Sequence, residues 1–233
     1  MFHYPAILPG TGMDAAVPDF WRVTDRKMRN IIDNGEPPRT TRFDTFQRSM
    51  ERLSSTRINS WLGLASDVGV SVFMLSAGFW LHEFRFIPAL YVISAGVFAF
   101  SFVEYCFHRW LFHGSAPIFE EGHHRHHELP LGHDSLPFFL PPLAMIGLAG
   151  LLSLAGPGAV ALLFTGGFAA GYAAYGLSHT VIHRMRFQNV VIRRWAAAHH
   201  IHHHHPGSNF GVTSPFWDIV MRTRYRRAPK DSA

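Results

Sequence analysis

Read only as hydrophobic and polar positions, the chain changes character near residue 60. Met1 to Ser60 is polar and Arg-rich, and is interrupted by Pro5, Pro9, Pro18 and the pair Pro37–Pro38. Four apolar stretches follow, Trp61–Leu81, Phe86–Phe107, Leu136–Leu154 and Ala159–Leu177. Each is close to the roughly 20 residues that cross a bilayer as a helix. They predict an all-α integral membrane fold with four transmembrane helices. The connections His82–Arg85 and Ala155–Gly158 are short, so the helices pair into two tight hairpins. Trp61, Trp80 and Trp110 fall near predicted ends, where interface aromatics belong. Asp67 inside the first stretch is expected to face the bundle or lie near the surface, because a carboxyl group facing lipid is costly. Residues 1–60 are expected to form a cytoplasmic arm on the membrane surface, with one amphipathic stretch across Asp44–Leu53. No cleavable signal peptide is read at the start, since Met1–Phe20 lacks a basic region followed by an apolar core.

Composition supports this division. Hydrophobic residues make up 48% and charged ones 16% of the 233 residues, as in a chain of apolar runs joined by charged segments. The net charge of +5 would suit a nucleic-acid partner, but its distribution points elsewhere. Nine Lys and Arg precede residue 61, two lie between 108 and 135, nine follow 183, and Arg85 alone is left for the other side. By the positive-inside rule both termini and the long middle segment are cytoplasmic, and no nucleic-acid partner is expected. Cys106 is the only cysteine, which excludes an internal disulfide and thiolate-clustered metal sites. Packing is its expected role.

Histidine changes the picture most. It occurs 17 times against 16 Asp and Glu together, mostly between His108 and His205. Four groups stand out, all on the predicted cytoplasmic side. His108 and His113 are five apart, about 140° on an ideal helix, so they converge only if the helix ends or bulges there. His123, His126 and His127 share one face of a helical turn through i, i+3, i+4 spacing, with His124 pointing away. His179 and His183 are an i, i+4 pair at and beyond the end of the fourth helix. His199, His202 and His203 repeat the i, i+3, i+4 pattern. These ten are the candidate metal ligands. His3, His82, His124, His133, His200, His204 and His205 are read as ordinary polar residues. Imidazole is a neutral borderline donor suited to two ferrous ions that keep the positive charge useful for dioxygen chemistry. A carboxylate-bridged di-iron bundle would need Glu-x-x-His pairs on facing helices, which Glu104, Glu128 and Asp134 do not supply. The run His202–His205 is internal and is not a tag, and His205-Pro206-Gly207 lacks the rest of a haem domain.

Together His108–His113 (HRWLFH), Gly122–His127 (GHHRHH), Ser178–His183 (SHTVIH), His199–His203 (HHIHH) and Phe210–Asp218 (FGVTSPFWD) resemble the membrane fatty acid hydroxylase and sterol desaturase superfamily, with the nearest likeness to fatty acid 2-hydroxylases. The resemblance covers about residues 60 to 225. It implies four transmembrane helices capped by a cytosolic helical His-rich catalytic domain, with metal ligands at His108, His113, His123, His126, His127, His179, His183, His199, His202 and His203. It implies two Fe ions and consumption of O2 and two electrons; zinc, which outcompetes ferrous iron at nitrogen sites, is expected to replace iron during purification. Hydroxyl is then inserted at the carbon next to the acyl carboxyl group of a fatty acid or sphingolipid. The chain is expected to divide into arm 1–60, membrane and di-metal catalytic domain 61–225, and basic tail 226–233. No catalytic residue is expected beyond the metal ligands. Electrons are expected from a separate cytochrome b5-like or ferredoxin-like protein with its reductase, and the location is a bacterial inner membrane or the endoplasmic reticulum. Many relatives have Asp after the Tyr that precedes the third pair, where this chain has Tyr175-Gly176, and the segment after His203 is one residue shorter than theirs.

An acyl chain would need an apolar path past Trp110, Phe112, Phe138, Phe139 or Tyr175, each of which also suits ordinary packing. Arg109, Arg125 and Arg184 suit a headgroup, a donor surface or membrane anchoring. Two other readings keep the histidines: an iron hydroxylase or desaturase of a sterol, carotenoid or other lipid, and a non-catalytic membrane zinc protein.

Overall fold

Helices are the only regular elements among the described residues, which are 49–50, 52–81, 86–114, 117–133 and 135–227 of a computed structural model. The expected arm, apart from its last residues, together with His3, His82, Asp134 and the first hairpin turn, lies outside them. Helix α1 spans Arg57–Leu81 and α2 Phe86–Cys106, the latter continuing as a π-helical turn Phe107–Phe112; then come α3 Pro117–Glu128, α4 Leu140–Ser153, α5 Gly158–Arg184, α6 Val190–His204 and α7 Phe216–Val220.

Three of these segments, Arg57–Leu81, Phe86–Phe112 and Gly158–Arg184, are long and apolar enough to cross a membrane. They fall on three of the four expected stretches. The other, Leu136–Leu154, contains a helix of only 14 residues, about 21 Å at 1.5 Å per residue, against a hydrocarbon core of about 30 Å. Proline is the local reason. Pro141 and Pro142 lack the N–H a helix interior needs and suit its first turn, so the helix starts at Leu140. The preceding segment is tied instead to α1. Buried Asn59 donates to Ser135 Oγ and the Leu136 carbonyl, both at 2.9 Å, and accepts from Phe138 N–H. Ser66 Oγ adds a bond to the Phe138 carbonyl at 2.8 Å. α1 therefore begins within the stretch expected to be arm.

α5 is the central element, with α1, α2 and α4 packed against it. Small residues allow this. A Cβ on Gly167 would lie 2.3 Å from the Ile93 carbonyl oxygen of α2, and one on Gly96 2.1 Å from that of Phe164, so only glycine permits this backbone approach. Ser71 Oγ bonds the Gly166 carbonyl at 2.9 Å on the α1 side. Asp67 is buried in the bundle, while Phe73, Trp80, Phe86, Tyr91, Leu143 and Leu151 are exposed. A wide apolar exterior of this kind is what hydrocarbon solvates. α5 runs unbroken to Arg184, so His179 and His183 share one continuous helix.

Candidate metal centre

The ten histidines are delivered by four elements. At the end of α2 the backbone widens into the π turn, whose hydrogen bonds run from i to i+5. This brings the five-spaced His108 and His113 into stacked contact, with ring centroids 5.3 Å apart. α3 carries His123, His126 and His127; α5 carries His179 and His183; α6 carries the last three. α6 is started by Asn189, whose side chain accepts from the N–H groups of Val191 and Ile192, an N-cap arrangement.

The side chains fall into two sets of five, each with its ligand nitrogens within 4.8 Å of one another: His108, His113, His123, His127 and His202 in the first, and His126, His179, His183, His199 and His203 in the second. The triplets on α3 and α6 are thus divided. α3 gives its i, i+4 pair His123/His127 to the first set and His126 to the second; α6 gives the pair His199/His203 to the second and His202 to the first. The sets adjoin, with the His127 and His203 rings stacked at 4.3 Å. His124, His133, His200, His204 and His205 belong to neither set. His124 lies on the outer face of α3, 3.6 Å from Glu128.

Proton positions in the first set expose a conflict. Nδ1 of His108 faces the Phe210 carbonyl and Nδ1 of His202 the Ser208 carbonyl. A carbonyl only accepts, so both rings carry their proton on Nδ1 and a lone pair on Nε2. His123 Nε2 lies 3.1 Å from His108 Nε2, and His113 Nε2 lies 2.9 Å from His202 Nε2. Both would have to donate there, yet these two nitrogens also face each other at 2.9 Å. No set of neutral tautomers satisfies all three contacts. A cation accepting a lone pair from every ring does. Two nitrogens bound at about 2.1 Å and at a right angle around one ion lie about 3 Å apart, which is the spacing here. Burial and neighbouring imidazoles hold His113 down to about 4 and His202 to about 3, and push His123 and His127 down as well, so the rings stay neutral and free to bind metal. The second set shows a related deficit. His183 and His203 both approach His199 Nε2, at 2.9 and 3.1 Å, while buried His126 Nε2 has no partner. His126, His199 and His203 are also held low, by burial first and then by neighbouring imidazoles of both sets.

Two acids that the sequence reading gave no part fix the frame of the first set. Glu104 accepts from Val212 N–H at 2.7 Å, Thr213 N–H at 2.9 Å and the Thr213 hydroxyl. Asp218 accepts from Phe210 N–H at 2.8 Å, Gly211 N–H at 2.9 Å and Thr223 Oγ1 at 2.7 Å. Trp217 packs on Phe102 with centroids 4.6 Å apart and donates to Ser101. The segment from Ser208 to Thr223 is therefore strapped along α2. Of the aromatic candidates, Phe112 stacks on His123 and Tyr175 on His179, whereas Phe138 and Phe139 pair with each other near the start of α4. Exposed Trp110 lies beside Arg109, which donates to Tyr105. Arg184 donates to the Leu131 carbonyl and Arg125 approaches Glu121.

Comparison with known proteins fits this arrangement. The chain is 32% identical over 155 residues to a fatty acid 2-hydroxylase of Macaca fascicularis, covering 61% of this chain and 41% of that protein. It is 30% identical over 146 residues to a dihydroceramide fatty acyl 2-hydroxylase of Arabidopsis thaliana, covering 57% and 60%. It is 31% identical over 154 residues to a ceramide very long chain fatty acid hydroxylase of Schizosaccharomyces pombe, covering 59% and 43%. The chain thus spans between 41% and 60% of the length of these relatives. A solved structure of full-length scs7p, with only the hydroxylase domain visible, superposes with a TM-score of 0.65 at 26% identity over 77% of this chain and 71% of that one. The family model described as fatty acid hydroxylase matches residues 93–223, which carry all ten histidines, and the chain belongs to that family.

Proposed function

We propose that this chain is a membrane di-iron monooxygenase that hydroxylates a lipid acyl chain at carbon 2, on a fatty acid or a sphingolipid N-acyl group. The observation that carries the reading is the division of ten imidazoles into two adjoining sets of five, at the end of helices apolar enough to lie in a bilayer. Two ions held there would supply dioxygen reduction and oxidation of an unactivated C–H bond. The protein's part is to keep ten rings neutral, orient them, and exclude bulk water from buried His108, His199 and His202. The relatives' names supply the substrate class, a fatty acyl chain on ceramide or its precursors.

In this reading four apolar segments form the membrane part, with α4 and its extended lead-in as the short one, and α3, α6 and α7 cap the cytoplasmic side. The arm 1–60, catalytic domain 61–225 and tail 226–233 are its divisions, and both termini are cytoplasmic. Electrons come from a separate carrier protein. Purified, iron-loaded chain in lipid vesicles, given a reductant, isotopically labelled dioxygen and ceramide or fatty acid, should add one labelled oxygen at carbon 2. The absence of any oxygen-dependent mass gain in these lipids would overturn the assignment.

A further inference from the structure

The peptide group joining Phe210 to Gly211 makes hydrogen bonds at both ends, and the two lead in different directions. Its carbonyl accepts from His108 Nδ1. Its N–H donates to Asp218 Oδ2 at 2.9 Å. The same carboxylate takes the Phe210 N–H through Oδ1 at 2.8 Å, so its two oxygens grip two successive amides. Asp218 is 1% exposed, and among the described residues its oxygens meet two N–H donors and one O–H donor. A Cβ on Gly211 would sit 3.0 Å from Asp218 Oδ2 and 2.2 Å from the Ser214 carbonyl oxygen, so this close grip requires glycine.

We propose that Asp218 is a positioning residue for the first histidine set: through the Phe210–Gly211 peptide it fixes and polarises the carbonyl that orients His108, and so governs metal affinity in that set and not in the second. This rests on the metal-centre reading above. Carboxylate, peptide and imidazole form a line of hydrogen bonds that polarise one another in the same sense. Negative charge on the N–H side makes the carbonyl a better acceptor, which raises electron density on the imidazole and holds its tautomer. Carboxylates bonded directly to a metal-binding histidine act in this way; here a peptide group stands between. Among the described residues no such line of hydrogen bonds reaches the second set, where Nδ1 of His199 is buried without a partner.

The full chain in detergent, titrated with Co2+ alone and followed by its visible absorption, tests this. The unaltered protein should take up two equivalents. Asp218→Asn replaces one acceptor by a donor facing an amide, and one equivalent should weaken by about 10–100-fold, the usual effect of losing an outer partner, while the other is unchanged. The weakened ion is located by pairing variants. Added to His203→Ala, which damages the second set, Asp218→Asn should weaken the remaining ion by the same factor; added to His113→Ala it should leave the remaining ion unaffected. Parallel weakening of both ions, or of neither, overturns the proposal. An unaltered protein that binds no Co2+ overturns the metal-centre reading itself. Thr223→Val, which removes the hydroxyl donated to Oδ1 at 2.7 Å together with its 3.1 Å contact to the Tyr105 hydroxyl, covers the case in which Asp218→Asn does not fold: a smaller shift confined to the first set supports the proposal, and equal shifts in both, or none in either, overturn it.

Discussion

The two histidine sets have the same number of rings but are held differently. The second is built on regular helix: His179 and His183 extend α5, and His199 and His203 lie one turn apart on α6. α5 and α6 pack on each other there through Ile182 and Ala196, with Val212 of the strap closing the cluster. The first depends on an irregular π turn and on the strap, whose irregular part carries the Ser208 and Phe210 carbonyls that aim two of its rings. Packing resists displacement through many weak contacts, whereas a strap is fixed by a few directional ones. The first set is therefore the more easily perturbed from a distance, and the second fails mainly when a helix moves.

Removing a ligand gives the largest effect and tests the division itself. His113→Ala should leave the second set loaded and His203→Ala the first, each with one equivalent of metal lost by elemental analysis. Hydroxylation should fall by more than about 100-fold in both, beyond what an outer partner typically contributes. His127→Ala should behave as His113→Ala does. His124→Ala should retain full metal and activity, since that ring lies outside both sets. Loss of both equivalents from each variant would mean that the sets are not independent.

Gly167→Ala acts on what the sets share. The new methyl group would meet the Ile93 backbone at 2.3 Å, and backbone cannot turn aside as a side chain can. α2 leads into the π turn and α5 carries His179 and His183, so separating them disturbs both sets together. A loss of about 1–3 kcal/mol, read as a lower unfolding midpoint in detergent with parallel loss of both ions, is expected. Selective loss of one ion would show that the α2–α5 contact serves only its own side.

How much of this could be read from the sequence depends on the range of the interaction. Spacing identified the ten rings, because i, i+3 and i+4 positions on a helix are neighbours whatever surrounds them. The five-residue gap between His108 and His113 already required the helix either to end or to bulge for the rings to converge. Spacing could not divide the α3 triplet between two centres, since that depends on which helix faces which side of α3. Nor could it assign Glu104, whose partners are 108 and 109 residues away, or Asn59, bonded across 76 to 79 residues. Hydropathy counted Leu136–Leu154 as long enough for a span because composition does not register where proline delays a helix.

Acid challenges both sets at once and separates burial from the strap. His113 and His202 are held near 4 and 3 in the folded chain against 6.5 for free histidine, through burial first and neighbouring imidazoles second. The unfolded chain therefore takes up protons first as pH falls. Metal-free protein should be most stable above about 6.5 and lose stability steadily between there and about 3. Asp218→Asn should keep that slope, because burial of the rings, not the strap, sets its direction. An unfolding midpoint that stays level from pH 7 to 4 would contradict neutral burial of the clusters.

The smallest expected effect comes from the start of α6, the helix that serves both sets. Asn189 accepts from Val191 N–H at 2.9 Å and Ile192 N–H at 3.3 Å, meeting two of the four N–H groups a helix leaves open at its beginning. Asn189→Ala removes that acceptor at an exposed site, where water replaces part of it, and should cost about 1 kcal/mol. His199, His202 and His203 lie three to four turns further along, so fraying at Asn189 reaches them only through the whole helix. Both Co2+ affinities should weaken by one common factor, below about tenfold. Unequal weakening would mean that one set relies on the first turn of α6 more than the other, and the contrast between strap and helix would have to be redrawn around Trp195, which donates to the strap's Val212 carbonyl at 2.8 Å.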